Sequence, residues 1–183
     1  WLVHLTGEEF PADCLGARAL AVRLARRDLA LRTRGGRRVD LSGVQVSAAV
    51  VLDMIAHNAE RARDVFQIAT GEGSGAARLA RTVHEANLAW NRMADEHNVA
   101  PERRRAGRFV RQPDGRGEPP AFRHLPLTGE IRPSWDPRSA LYNTDAQILS
   151  DMGIPAVLLM ENYELFRSGY HDSEDTMANI DLD

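Results

Sequence analysis

Four side chains, far apart along the chain, are of the types that build a hydrolytic metal centre. The adjacent pair Glu8-Glu9 follows the apolar run Trp1-Leu2-Val3-His4-Leu5 and the Thr6-Gly7 turn. Asp53 closes the run Val44 to Ile55. His171, with Asp172, Glu174 and Asp175 beside it, lies about ten residues beyond the apolar run Ala156 to Met160. Carboxylates and an imidazole are the donors that a zinc ion prefers. Each also has an ordinary explanation. Glu8-Glu9 at a helix start would gain only ~0.3 to 1 kcal/mol from the helix dipole, Asp53 suits a turn, and His171 suits a solvated loop. What sets them apart is a shared position at the ends of strand-like runs, where open α/β sheets collect their ligands.

The elements that must carry these groups are legible in outline. Trp1 to Leu5 is expected to be a strand, with His4 inside it as a core or wall residue. A helix is expected from about Asp13 to Arg27, with Ala17, Leu20, Ala21 and Leu24 on one face. Arg34-Gly35-Gly36-Arg37 reads as a turn. Ala48 to Leu52 is apolar at every position, the pattern of a strand covered on both faces. Val65 to Ala69 is a further strand, and Gly71-Glu72-Gly73-Ser74-Gly75 leads into a helix of about 24 residues, with Ser74 as its N-cap. From 99 to 141 the pattern dissolves into Arg, Gly and Pro, which predicts a long loop. A short helix from Asp145 to Met152, stopped by Gly153, precedes the last strand, Pro155 to Glu161, and Ser173 is placed to cap a closing helix. Strands alternating with helices give a single α/β domain over 1–183, built as a three-layer α/β/α fold around a mixed, largely parallel sheet.

Composition prunes the alternatives. The chain has 183 residues, 23 basic against 26 acidic, for a formal charge of −3. There is no net positive field to attract nucleic acid or an anionic membrane, so neither is expected as a partner. No apolar run approaches the ~18 to 20 residues that cross a bilayer. The sequence contains no lysine, which excludes Schiff-base chemistry and the P-loop clamp. Without Lys, and with a Glu in the loop, Gly71 to Gly75 is a strand-to-helix turn rather than a phosphate cradle. No Gly-x-Ser-x-Gly elbow is present, so a serine nucleophile has no candidate. Arg103-Arg104-Arg105, Arg108 and Arg111 around Phe109 read as a solvated loop or a lid. The single Cys14 cannot form an internal disulfide and reads as a small core residue. The arginine-only composition points to GC-rich coding and a bacterial source, with the compartment, export included, left open.

Three segments together resemble the zinc-dependent aminopeptidase family, which also holds glutamate carboxypeptidases and glutaminyl cyclases. They are Thr6-Gly7-Glu8-Glu9-Phe10 with Leu15-Gly16-Ala17-Arg18; Val51-Leu52-Asp53-Met54-Ile55; and Gly153-Ile154-Pro155-Ala156 running to Tyr170-His171-Asp172-Ser173-Glu174-Asp175-Thr176. The resemblance covers almost the whole chain outside the 99–141 loop. It implies that Glu8 is the general base and that Glu9, Asp53 and His171 are metal ligands. Asp145, Asp175 and Tyr170 are then neighbours of the ligands or of the substrate. The implied activity is exopeptidase hydrolysis of peptide substrates, with water activated by two zinc ions and its proton taken by Glu8. A first His and a bridging Asp belong to an earlier segment in this family. The resemblance therefore also implies a catalytic-domain portion that lacks its N-terminal part, holds fewer zinc ions or none by itself, and exposes a surface suited to self-association. Glutaminyl cyclase chemistry and a metal-free interaction domain are the alternatives.

Overall fold

The computed structural model describes residues 2–9, 11–55, 64–99, 126–142, 144–161 and 176. Its elements run α1 (Leu15–Arg26), β1 (Ala30–Arg32), β2 (Arg38–Asp40), β3 (Ala49–Leu52), β4 (Val65–Thr70), α2 (Gly73–Val99), β5 (Thr128–Arg132), α3 (Asp145–Asp151) and β6 (Ala156–Glu161). β1 and β2 form an antiparallel hairpin, and the other four strands form a sheet in the order β3-β6-β4-β5. β3 pairs in parallel with β6, Ala49 opposite Ala156 through Leu52 opposite Leu159. Helices with parallel strand pairing make this an α/β fold.

The central strands are those whose residues are apolar at successive positions. Ile68 and Ala69 in β4 and Ala156, Val157 and Leu158 in β6 are all fully buried, as a strand covered on both faces requires. Each large side chain among them contributes about 1.5 to 3 kcal/mol of burial. β3 departs from expectation. Its apolar run predicts a doubly covered strand, but it lies at the sheet edge and alternates, with Val50 49% and Leu52 60% exposed. Continuous apolarity alone does not distinguish a central strand from an edge strand with one open face.

Three other expectations are corrected. Residues 2–5 form no strand, and Leu2 and Val3 are exposed; an apolar β-prone run becomes a strand only where it pairs, and this one pairs with no strand among the described residues. His4 is exposed as well, so it is not a core or wall residue. The 99–141 segment contains strand β5, bounded by Pro126 and Pro133. Proline is tolerated at the ends of an edge strand, and β5 buries Gly129 and Arg132 with Glu130 and Ile131 exposed between them, so it has no alternating pattern to mark it among the prolines. α2 begins at Gly73, whose φ of 83° only glycine adopts cheaply, and Ser74 follows in its first turn. The closing helix expected after Ser173 lies outside the described residues.

By internal packing the chain divides into two compact units. The first comprises Trp1–Asp53, Ile68–Arg81 and Ile131–Leu159; the second comprises Met54–Gln67, Thr82–Glu130 and Met160–Asp183. In the first, α1 packs on α3 and α3 on β3. Alanines make the approach close: Ala17 and Ala21 on α1 and Ala146 on α3 are buried. In the second, two asparagines of α2 hold the start of β5. Asn87 Nδ2 donates to the Leu127 carbonyl at 2.9 Å while its Oδ1 accepts from Gly129 N at 3.0 Å. Asn91 brackets Leu127 from both sides, accepting from its N at 2.9 Å and donating to its carbonyl at 2.7 Å.

Candidate functional site

Glu8 and Glu9 sit on a tight loop folded back onto the start of α1. The carbonyls of residues 6 to 9 accept from amides that a helix start leaves without partners. Gly16 N donates to Thr6 O at 2.9 Å, Leu15 N to Gly7 O at 2.8 Å, Cys14 N to Glu8 O at 3.0 Å, and Ala12 N and Asp13 N to Glu9 O at 2.9 and 3.1 Å. Closing so short a loop forces left-handed backbone at Gly7 (φ 70°), Asp13 (φ 50°) and Cys14 (φ 58°). Only glycine adopts it without cost; elsewhere it costs roughly 1 to 2 kcal/mol. Arg18 latches the strained residue, donating from Nε to the Asp13 carbonyl and from its terminal nitrogen to the Asp13 carboxylate, both at 2.7 Å. Gly16 is where the two limbs touch: a Cβ there would lie 2.6 Å from Thr6 O and 2.8 Å from Thr6 N.

Asp53 is placed by the end of β3, its amide donating to Leu159 O at 3.1 Å. The next residue, Met54, is again left-handed at φ 47°, so the chain turns sharply just past the carboxylate. Asp145 is the first residue of α3. The Thr144 hydroxyl donates to Leu141 O at 2.7 Å instead of capping the helix, and one Asp145 carboxylate oxygen, Oδ1, is buried with no hydrogen-bond partner.

Three carboxylates lie close to one thiol. Cys14 is 2% exposed. Burial first, then the negative charges of Asp145, Glu8 and Asp13, push the thiol up to about 11, and it hydrogen-bonds to Asp145. The Asp145 carboxyl is also raised, by burial first and further by the charge of Asp53, against the opposing hydrogen bond from Cys14. Glu8 and Asp145 therefore both act on Cys14, and Asp53 acts on Asp145, inside the first unit. Glu9 is exposed at the loop surface, held through its carbonyl.

Among the described residues, no group of three or more His, Cys, Asp or Glu side chains stands ready to hold a metal ion. His171, Tyr170 and Asp175 lie outside the described residues. The site member missed by sequence reasoning is Cys14, read there as core packing. Its buried environment fits that reading; Glu8 and Asp13 are local neighbours on its own loop, but Asp145 arrives from α3 and does not follow from local pattern. The chain matches no protein-family model, no curated protein and no solved structure.

Proposed function

We propose that this chain is the catalytic-domain portion of a zinc-dependent exopeptidase of the aminopeptidase type, built as three α/β/α layers. The observation that carries it is that Glu8 and Asp145 act on one buried thiol and Asp53 acts on Asp145, with an Asp145 oxygen lacking any hydrogen-bond partner. Burial first, and then the charge of Asp53, raise the Asp145 carboxyl, a cost that a bound cation would offset. The donor types fit zinc: Asp53 and Glu9 would hold it, with His171 completing the set. When bound, zinc supplies Lewis-acid polarisation of a peptide carbonyl and a more acidic water.

The chain's own residues supply the rest. Glu8, half-buried on a braced loop, takes the proton of the attacking water and returns it to the departing amine. Asp145 adds negative charge beside Asp53, which favours a cation there. The substrate is a peptide, and neither nucleic acid nor a membrane is a partner.

The test combines zinc content with hydrolysis of aminoacyl anilides in a longer chain that carries the upstream His and bridging Asp the resemblance implies. Glu8→Gln is expected to keep zinc and lose turnover by at least a hundredfold, and Asp53→Asn to lose zinc. Turnover surviving in Glu8→Gln would falsify the assignment. One zinc per chain with ammonia release from N-terminal glutamine would replace peptidase by glutaminyl cyclase chemistry, and a longer chain that still binds none at micromolar metal would be an interaction domain.

A further inference from the structure

A second charged feature lies away from the carboxylates, in the β1–β2 hairpin. Residues 26–40 hold six arginines, Arg26, Arg27, Arg32, Arg34, Arg37 and Arg38, against two aspartates, in a chain whose formal charge is −3. Both aspartates are engaged. Asp28 pairs with Arg23 at 2.8 Å, and Asp40 accepts from Ser42 N at 2.9 Å with Arg38 alongside. Residues 31 to 38 are all exposed.

The register shows what the hairpin offers. Leu41 N donates to Leu29 O and Thr33 N to Arg37 O, both at 2.9 Å. With Leu31 opposite Val39, the bonded rungs are 29/41, 31/39 and 33/37. The alternation of an antiparallel ladder then turns the backbone groups of Ala30 and Arg32 to the outer edge of β1, and those of Arg38 and Asp40 to the outer edge of β2. The hairpin is a two-stranded sheet by itself, so among the described residues both edges stand open. Arg32 lies directly opposite Arg38 in a non-bonded pair, where side chains approach most closely. Like charges placed so repel each other, and an anion between them removes the repulsion.

The geometry points to the outer edge of β1 as a docking site for an extended acidic peptide, added as a third strand. Open main-chain donors and acceptors are satisfied by another polypeptide and not by a lipid surface or a phosphate polymer. The charges choose among polypeptides. Arg26 and Arg27 before β1, Arg32 on it and Arg34 in the turn after it repel a second copy of the same edge, as edge charges do, and pair with carboxylates of an acidic strand. β1 is favoured over β2 because Asp40 on the β2 edge repels such a partner. Sequence reading saw only the Gly-Gly turn here, since three-residue strands leave no periodicity.

The experiment is fluorescence anisotropy of the full chain with a labelled, N-acetylated heptapeptide of alternating Glu and Thr. The blocked amino terminus makes the readout independent of hydrolysis, so it stands or falls separately from the peptidase assignment. Binding is expected at low salt, weakened at least tenfold by Arg32→Ser with Arg38→Ser and unchanged by Arg81→Ser, an exposed arginine on α2. N-methylation of alternate peptide amides, which leaves the charge intact, should weaken it equally. An unaltered thermal transition in the double variant shows that the fold is kept. Equal binding of the N-methylated peptide or of polyphosphate, or undiminished binding by the double variant, overturns the proposal.

Discussion

Gly16→Ala probes the loop that carries Glu8 and Glu9 without touching either carboxylate. The added Cβ would sit 2.6 Å from Thr6 O and 2.8 Å from Thr6 N. Both are backbone atoms, so no side chain can swing aside, and the limbs must part by several tenths of an ångström. That motion stretches the 2.9 Å bond from Gly16 N to Thr6 O. Overpacking of this kind costs roughly 1 to 3 kcal/mol, and a weakened hydrogen bond adds about 0.5 to 1.5 kcal/mol. Alanine's higher helix propensity offsets up to about 1 kcal/mol. The net loss is about 1 to 3 kcal/mol, a fall of roughly 2 to 10 °C in Tm for a chain of this size. The comparison variant is Gly43→Ala, where a Cβ meets nothing within 4 Å; its Tm should move by less than about 2 °C. Differential scanning fluorimetry of both, with zinc affinity measured in parallel, is the assay. A Gly16→Ala protein as stable as Gly43→Ala would show that the 6–16 loop does not close as described.

Three further outcomes follow from the same geometry. Asp145→Asn should raise the Tm of the metal-free protein at pH 7. A carboxyl with a raised folded pKa contributes stability that is complete below its unfolded value and is lost as pH rises through the folded value. The gain should therefore vanish on acidifying below about pH 4, and a gain constant over pH 3 to 8 would refute it. Cys14, buried and raised to about 11, should resist a disulfide reagent at pH 8 in the native state and react at once in denaturant; rapid native labelling would contradict its placement. Asn87→Leu should cost about 2 to 4 kcal/mol in denaturant titrations, because it removes two hydrogen bonds and leaves the Gly129 amide buried without its partner. A loss below about 0.5 kcal/mol would mean the α2 to β5 clamp does not hold.

What could be read in the sequence was whatever is written in local period and punctuation. α1, α3 and β6 fall where spacing, Gly153 and the Pro155 start place them. β3 was found as an element but not as an edge, because its neighbours are chosen by long-range pairing that leaves no mark on residues 49–52. β5 was lost among prolines, and the hairpin strands are too short for a pattern. The candidate site divides the same way. Asp53 and Glu8 stand at element ends, as strand-end logic expects. Their meeting with Asp145 and Cys14 depends on α1 packing on α3 through Ala17, Ala21 and Ala146, and alanines in a helix announce no particular partner.

The placing of strain completes the argument. Non-glycine residues with left-handed backbone among the described positions are Asp13, Cys14, Arg27, Met54 and Asp64. Three of them touch the carboxylate neighbourhood: Asp13 and Cys14 close the Glu8-Glu9 loop, and Met54 follows Asp53. The fold thus bears its backbone cost where it also bears the electrostatic cost of crowding Glu8, Asp53 and Asp145. Neither cost helps the chain fold, and replacing the acids with amides would relieve the second. Strain and like charge gathered at one place are what a binding or catalytic centre requires and packing alone does not. A variant carrying both Asp53→Asn and Asp145→Asn should therefore be more stable than the parent without metal, and lose the stabilisation that added zinc gives the parent. A double variant that is less stable without metal would show that the acids serve the fold.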